Sequence, residues 1–352
     1  TQLYDRIRQL ATDHPDLAEI VELPNKTNGY RRHSQAVIPA GTATADNPRR
    51  LAITSKAYGS DGGNALSVRV DHPTAADQAL TVAVDGSLVV VTSATDGSGA
   101  ATSTAAQIAA AINAHPEAST LVSAATYRGN AGAGVVPAAT VALSDFLNAP
   151  ANVSRDPHAV YAIKIGKVRD GSKPGVFFYA QEHAREWVPP LVTIETAERL
   201  LRNYDSHAAT RDLVDNLEIW VLPSVNPDGG HYSFYDFNSQ RRNMTMHCGT
   251  TAGGNTDANA RNQWGVDVNR NYDEYSFFDG YSGASNNCNG DTYAGPSELS
   301  EPEAKNVDWV AAHPNMKWSM NGHSSGNYFM WAPAAYRTPG RITAPEPTLE
   351  EE

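Results

Sequence analysis

The run Gly175-Val-Phe-Phe-Tyr-Ala180 followed by Gln181-Glu182-His183-Ala184-Arg185-Glu186-Trp187 decides the reading of this chain. Its first half, apolar and aromatic, predicts a buried strand. Its second half packs two carboxylates, an imidazole and a guanidinium into six residues directly beyond the strand's end. Working outward, Ala159 to Ile165 (AVYAIKI), Leu217 to Leu222 (LEIWVL) and Met316 to Gly322 (MKWSMNG) repeat the strand pattern, and Ile20 to Leu23 adds a short one. Between them lie helical patterns over 2–12, with Leu3, Ile7 and Leu10 on one face, over 191–204, and over 300–312 before Pro314. Strands alternating with helices predict an α/β fold, a mixed central sheet flanked by helices. In such sheets functional groups gather where strands end.

His183 and Glu186 have HxxE spacing. Three positions apart on one turn they face the same way, so both reach one zinc ion at about 2.0–2.2 Å. A catalytic zinc takes three protein ligands and keeps one position open, so a third must come from elsewhere. His14, His72, His115, His158 and His313 sit by loop-marking Pro or Asp and read as solvated, and His207, His231 and His247 lie in polar surroundings. His323 terminates the strand MKWSMNG, where a ligand belongs. Pro223-Ser-Val-Asn-Pro-Asp-Gly229 is a turn-rich segment suited to framing a site. In Gly265-Val-Asp-Val-Asn-Arg-Asn271 an amide stands beside a guanidinium fork, which suits a carboxylate accepting parallel hydrogen bonds. Each signal has a plainer reading when taken singly: HxxE recurs by chance in helices, His323 also reads as a hydrogen-bonded structural residue, and Asn269–Arg270 as a surface pair.

The chain has 352 residues, 41% hydrophobic and 19% charged, enough for a sizeable core and far from the composition of a disordered chain. Its 27 basic and 39 acidic residues give a net charge of −12, which excludes nucleic acid as a partner, since such binding rests on neutralising phosphates. No run approaches the ~20 apolar residues of a membrane span, so no membrane partner is expected. Two cysteines make neither a disulfide scaffold nor a cysteine-rich zinc module. The start at Thr1, without Met or an apolar leader, predicts a processed or trimmed N-terminus.

All six tryptophans and both cysteines follow Gln181, whereas roughly residues 40–150 are rich in Ala, Thr, Ser, Gly and Val. That stretch predicts a small α+β module of its own. Leu80 to Val84 and Leu88 to Thr92 flank Asp85-Gly86-Ser87 as a hairpin, Ser103 caps an Ala-rich helix closed by His115-Pro116, and Leu121 to Tyr127 is a strand. It carries no site-like cluster and reads as an inserted structural or surface-binding module. The expected organisation is 1–40 as the first part of a catalytic domain, 41–150 as the insert, and 151–352 as the second part of the domain. The tail 338–352, rich in Pro and Glu, reads as loose.

Together, HAREW, PSVNPDG, GVDVNRN, TYAG (Thr292 to Gly295) followed by SEPE (Ser300 to Glu303), and a strand ending in His323 resemble, in that order, the zinc carboxypeptidase family of carboxypeptidase A/B-like metallopeptidases. The resemblance covers about 1–35 and 155–335. The middle module is similar to the insert of some secreted actinobacterial members. The resemblance implies one zinc ion held by His183, Glu186 and His323, and peptide or protein C-termini as substrate. It implies that Arg185 contacts the carbonyl upstream of the scissile bond and that Asn269 and Arg270 bind the terminal carboxylate. The oxyanion-stabilising Arg falls in Arg241-Arg242-Asn243, with Arg241 the better candidate and Arg242 the alternative. Cys248 and Cys288 flank GVDVNRN. A bridge between them closes a loop of about 40 residues, worth roughly 3–4 kcal/mol in the chain-entropy model, and implies a secreted, oxidising setting; two free thiols are the alternative.

The resemblance also exposes a gap. The family's general base is a Glu well beyond the last zinc ligand, and only 29 residues follow His323 here, with Glu346, Glu350, Glu351 and Glu352 in the Pro-rich tail and no strand pattern around them. The favoured expectation is an incomplete portion of a longer protein, lacking the C-terminal strands, its remainder absent or present as a separate polypeptide. A natural non-catalytic relative that binds zinc and peptide termini, and replacement of the base by another residue, are the competing explanations. The predicted function is a secreted zinc metallocarboxypeptidase. The alternatives are a non-catalytic binding protein on the same fold and a zinc amidohydrolase acting on N-acyl amino acids, against which the NPDG and NRN strings argue.

Overall fold

The computed structural model describes residues 2–40, 47–248, 260–327 and 329–330. The expected loose tail and its glutamates lie outside the described residues. The chain divides into two compact units, one of the described residues in 1–30, 152–248 and 262–352, the other of those in 31–151 and 249–261.

The first unit opens with α1 (Gln2–Asp13), which buries Tyr4, Ile7 and Leu10. Leu3 is only partly buried, and Tyr4 takes the place predicted for it. Tyr4 tolerates full burial because its hydroxyl donates to the Ser224 carbonyl at 2.6 Å. β1 (Ala18–Glu22) follows.

The second unit contains β2 (His33–Ile38), β3 (Leu51–Tyr58), β4 (Ser67–Asp71), β5 (Thr81–Asp85), β6 (Leu88–Thr92), α2 (Ala105–Ala114), α3 (Ala118–Leu121), β7 (Val122–Thr126) and β8 (Ala139–Ala142). They form a three-stranded sheet β2-β3-β7 and a four-stranded sheet β5-β6-β4-β8 over one core that includes Ile53, Val68, Val89, Ile108 and Ile112. β2 alternates buried and open positions and pairs with β3 within this unit. The predicted hairpin is present, with Asp85 paired to Leu88 and Gly86 at φ +59°. Ser103 does not cap α2. Thr104 does, accepting from the Gln107 amide while the Gln107 side chain accepts from the Thr104 N–H. The Ser103 hydroxyl instead accepts from Ala94 N at 2.8 Å.

The first unit resumes with β9 (Tyr161–Ile165), β10 (Gly175–Ala180), α4 (Pro189–Arg202), α5 (Ala208–Asn216), β11 (Glu218–Leu222), α6 (Pro227–Tyr235), α7 (Pro302–Ala311) and β12 (Met316–Gly322). Its five-stranded sheet runs β1-β9-β11-β10-β12, antiparallel in the first two pairings and parallel in the last two, so the predicted mixed sheet with flanking helices is what the chain forms. Phe177, Ile163, Trp220 and Val221 are sealed in its core with Ala197, Leu201 and Val310 of the helices. β12 stands last in the strand order, and Trp318 on it is 47% exposed. Among the described residues no helix is long and apolar enough to cross a membrane.

Helix α6 was not anticipated: the segment read as a turn starts a helix. Asn226 is its N-cap, accepting from Gly229 N at 2.9 Å, with Pro227 at the first helical position and Asp228 in the first turn. His158, expected to be solvated, is largely enclosed. Its Nδ1 meets the buried Asp228 carboxylate at 2.7 Å, and only 13% of its side chain is exposed. His231 packs edge-on against it at 5.1 Å, and burial plus that neighbour push the His231 pKa down to about 4.

Candidate metal centre

The parallel register sets the site. Tyr179 pairs with Leu222 and Ala180 with Gly322, so β10, β11 and β12 end together at one edge of the sheet. His183 lies three residues past one strand end and His323 one residue past another. At Gln181 the backbone leaves β10 with φ +62°, an unusual conformation for a side-chain-bearing residue. PSVNPDG holds this turn: Val225 N donates to Ala180 O at 2.9 Å, the Ser224 hydroxyl to Gln181 Oε1 at 2.7 Å, and the Asn226 amide to Glu182 O at 3.1 Å. Ala184 N donates to Arg241 O at 2.9 Å, and the Ser233 hydroxyl of α6 to Ala184 O at 2.8 Å.

Three predicted ligands converge. Glu186 Oε1 lies 2.8 Å from His183 Nδ1 and Glu186 Oε2 lies 2.8 Å from His323 Nδ1, with the ring centres 4.6 Å apart. One donor atom from each residue falls within 4.8 Å of the others, the one such group of three or more among the described residues. His183 and Glu186 are buried, and His323 is the open member. Burial alone would raise the Glu186 carboxyl, but the two imidazoles hold it down at about 2. The donor set of two imidazole nitrogens and one carboxylate fits zinc, supplying three protein ligands and leaving a coordination position free.

Behind His183 stands Asp267 of the GVDVNRN string. It is fully buried, with Oδ1 3.2 Å from His183 Nε2, facing it but out of line for a full hydrogen bond, and Oδ2 accepting from Arg241 Nε at 2.8 Å. Burial works against its charge, yet His183 and Arg241 keep its pKa below the ordinary value. For His183, burial lowers the pKa, but Asp267 and Glu186 outweigh it and leave it raised. The signal available in the sequence was an Asp two residues before the Asn-Arg pair. Gly265 has φ +107°, and a Cβ there would meet Asn243 O at 1.9 Å, so the motif needs glycine at this position.

Arg241 is anchored through Nε on Asp267, and among the described residues nothing accepts from its terminal nitrogens. Arg242 is sealed inside, donating to Gly290 O at 2.8 Å and Asn262 O at 3.1 Å. Asn269 comes to the cluster, its Nδ2 3.3 Å from His323 Nε2. Arg270 and Arg185 do not touch the three ligands. Arg270 donates to Gly283 O and Asn269 O, both at 2.8 Å, and Arg185 to Ser239 O at 3.0 Å. Asn271 ties TYAG to SEPE, donating to Ala294 O at 2.7 Å and accepting from Glu301 N at 2.9 Å. Cys248 and Cys288 are bridged, with Cα atoms 5.6 Å apart. A second residue passed over in the sequence is Glu182, wholly buried, whose carboxylate takes hydrogen bonds from the Tyr272 hydroxyl and the Asn321 amide.

A mixed sheet whose strand ends bring two imidazoles and a carboxylate together offers a three-residue candidate metal centre. The model of the family described as "Zinc carboxypeptidase" matches residues 153–350. The chain belongs to the zinc carboxypeptidase family, which uses one zinc ion. It is 33% identical over 168 residues to carboxypeptidase A2 of Mus musculus, covering 47% of this chain and 37% of that protein. It is 33% identical over 180 residues to metallocarboxypeptidase A of Arthroderma otae, covering 50% and 39%. The crystal structure of the carboxypeptidase A from Helicoverpa armigera aligns at 28% identity with TM-score 0.41, over 48% of this chain and 38% of that one. The chain thus spans well under half the length of the relatives it matches.

Proposed function

We propose that this chain carries the zinc and substrate-terminus sites of a secreted metallocarboxypeptidase that hydrolyses the last peptide bond of peptides and proteins. The observation that carries the reading is the convergence of His183 Nδ1, Glu186 and His323 Nδ1, with Glu186 and His323 137 residues apart in sequence. When bound there, zinc supplies Lewis acidity to the substrate carbonyl and to the attacking water.

The protein groups do the rest. Asp267 orients the His183 ring through its outer nitrogen. Arg241, fixed on Asp267, offers its terminal nitrogens to the carbonyl oxygen as negative charge develops. Asn269 and Arg270 bind the terminal carboxylate, the interaction that makes the reaction an exopeptidase one. Arg185, exposed beside the site, takes the upstream carbonyl. A base must still accept the water's proton and return it to the leaving amine. Among the described residues the carboxylates next to the cluster, Asp267 and Glu182, stand behind the two imidazoles and are engaged there, so this reading places the base outside the described residues. The Cys248–Cys288 bridge supports an oxidising, extracellular setting.

The test is hydrolysis of an N-blocked dipeptide with a free C-terminal carboxylate by the full-length gene product, with and without zinc. Zinc-dependent release of the terminal residue, absent on the C-terminal amide, is expected. Zinc binding and tight peptide binding without turnover would establish the non-catalytic binding protein instead.

A further inference from the structure

Two buried carboxylates, not one, stand behind the ligand pair. Asp267 Oδ1 is 3.2 Å from the outer nitrogen of His183, and Glu182 Oε2 is 3.6 Å from the outer nitrogen of His323. Both acidic residues are 0% exposed, although an anion out of water is costly unless it is paired and hydrogen-bonded. Burial raises the Glu182 carboxyl above its ordinary value, and the Tyr272 hydroxyl on Oε1, the His323 ring and the Asn321 amide on Oε2 work against that rise.

The tautomer of His323 gives this geometry a consequence. With Nδ1 turned to Glu186 as a metal donor, the ring proton resides on Nε2 and needs an acceptor. The nearer polar atom is Asn269 Nδ2 at 3.3 Å, itself a donor as placed, which opposes an N–H. The carboxylate of Glu182, 3.6 Å away, is an acceptor that a small turn of the ring brings into hydrogen-bond range. We propose that Glu182 is the positioning carboxylate of His323, holding its Nε2–H tautomer and ring plane as Asp267 does for His183, so that the centre has a carboxylate–histidine pair on each side. Glu182 touches neither substrate nor reacting atoms. It follows β10 in sequence but serves the histidine that follows β12. This inference rests on the zinc reading of the cluster.

The experiment measures zinc dissociation constants, by competition with a chromophoric chelator, for the wild type, Glu182→Gln, Tyr272→Phe and Asp267→Asn. Glu182→Gln should weaken zinc binding about 10–100-fold, as Asp267→Asn should, the usual effect of losing a partner behind a metal-bound histidine. Tyr272→Phe disturbs the same buried network but keeps the carboxylate, and should stay within about threefold. In the zinc-loaded wild type, the His323 Nε2 proton should resonate far downfield by NMR, as a carboxylate-bound imidazole proton does, a readout that needs no variant to fold. Equal zinc affinity in Glu182→Gln, equal loss in Tyr272→Phe, or an ordinary His323 proton shift would overturn the proposal while leaving the zinc reading intact. A wild type that does not bind zinc would overturn both.

Discussion

Glu186 and His323, 137 residues apart in the chain, meet with Oε2 and Nδ1 2.8 Å from one another. The first comes from the turn after β10 and the second from the end of β12, so the proposed ligand set exists only once the parallel strands are in register.

A metal bound across that junction stabilises the folded chain alone, because the unfolded chain does not bring the ligands together. Zinc at 100 times its dissociation constant should add about 2.7 kcal/mol to stability. The expected result in differential scanning calorimetry is a clear zinc-dependent rise in Tm for the wild type, abolished in His323→Ala and reversed by a chelator.

Arg270 and Asn269 carry the prediction for specificity. Hydrogen bonds to a charged group contribute about 1.5–3 kcal/mol, so Arg270→Ala should lower kcat/KM about 10–150-fold on a peptide with a free C-terminus, mainly through KM. The peptide amide should be equally poor with both enzymes. A loss of kcat alone, with KM unchanged, would count against a carboxylate-binding role.

Glu303 sets a pH dependence away from the metal centre. Burial, then the neighbouring Asp228 and Glu301, push its pKa up to about 8, against an ordinary 4.5. Between those two values the folded protein holds a proton that the unfolded chain releases. Its contribution therefore lowers stability as pH rises through that window, by at most about 1.4 kcal/mol per pH unit, and levels off above about 8. Urea melts of Glu303→Gln should show a shallower fall between pH 5 and 8 (roughly those bounds) than the wild type.

The Cys248–Cys288 bridge closes a loop across 40 positions. Its removal in the double Ser variant should cost roughly 3–4 kcal/mol in the chain-entropy model, read from urea melts under non-reducing conditions. Equal stability of the variant and the wild type would contradict the chain-entropy expectation.

Gly265 is the backbone position least open to change. With φ +107° and Asn243 O 1.9 Å from where a Cβ would stand, Gly265→Ala has to displace the strand of contacts that presents Asp267. Several kcal/mol of destabilisation is expected, roughly the upper end for single substitutions, with zinc affinity falling alongside.

Much of this was legible in the sequence because it is local. β10 and β12 match their predicted bounds, and HxxE at one strand end with His323 at another pointed to the cluster the fold assembles. What escaped depends on contacts that no local pattern records. Asp267 and Glu182 are ordinary carboxylates in sequence, and only the fold brings the outer nitrogens of His183 and His323 near them. His158 looked solvated beside its loop signal, yet Asp228, 70 positions on, draws it in. Helix α6 was missed because Asn-Pro-Asp-Gly serves equally as a turn and as an N-cap followed by proline. Likewise, Thr104 rather than Ser103 caps α2, since Gln107 lies three residues beyond Thr104 and completes the capping box.

The most direct test of the central claim is anomalous diffraction at the zinc absorption edge from crystals of the zinc-loaded protein. One peak among His183 Nδ1, the Glu186 carboxylate and His323 Nδ1 is predicted, at about 2.0–2.2 Å from each donor. A peak held by other residues, or none at full zinc loading, would contradict the account.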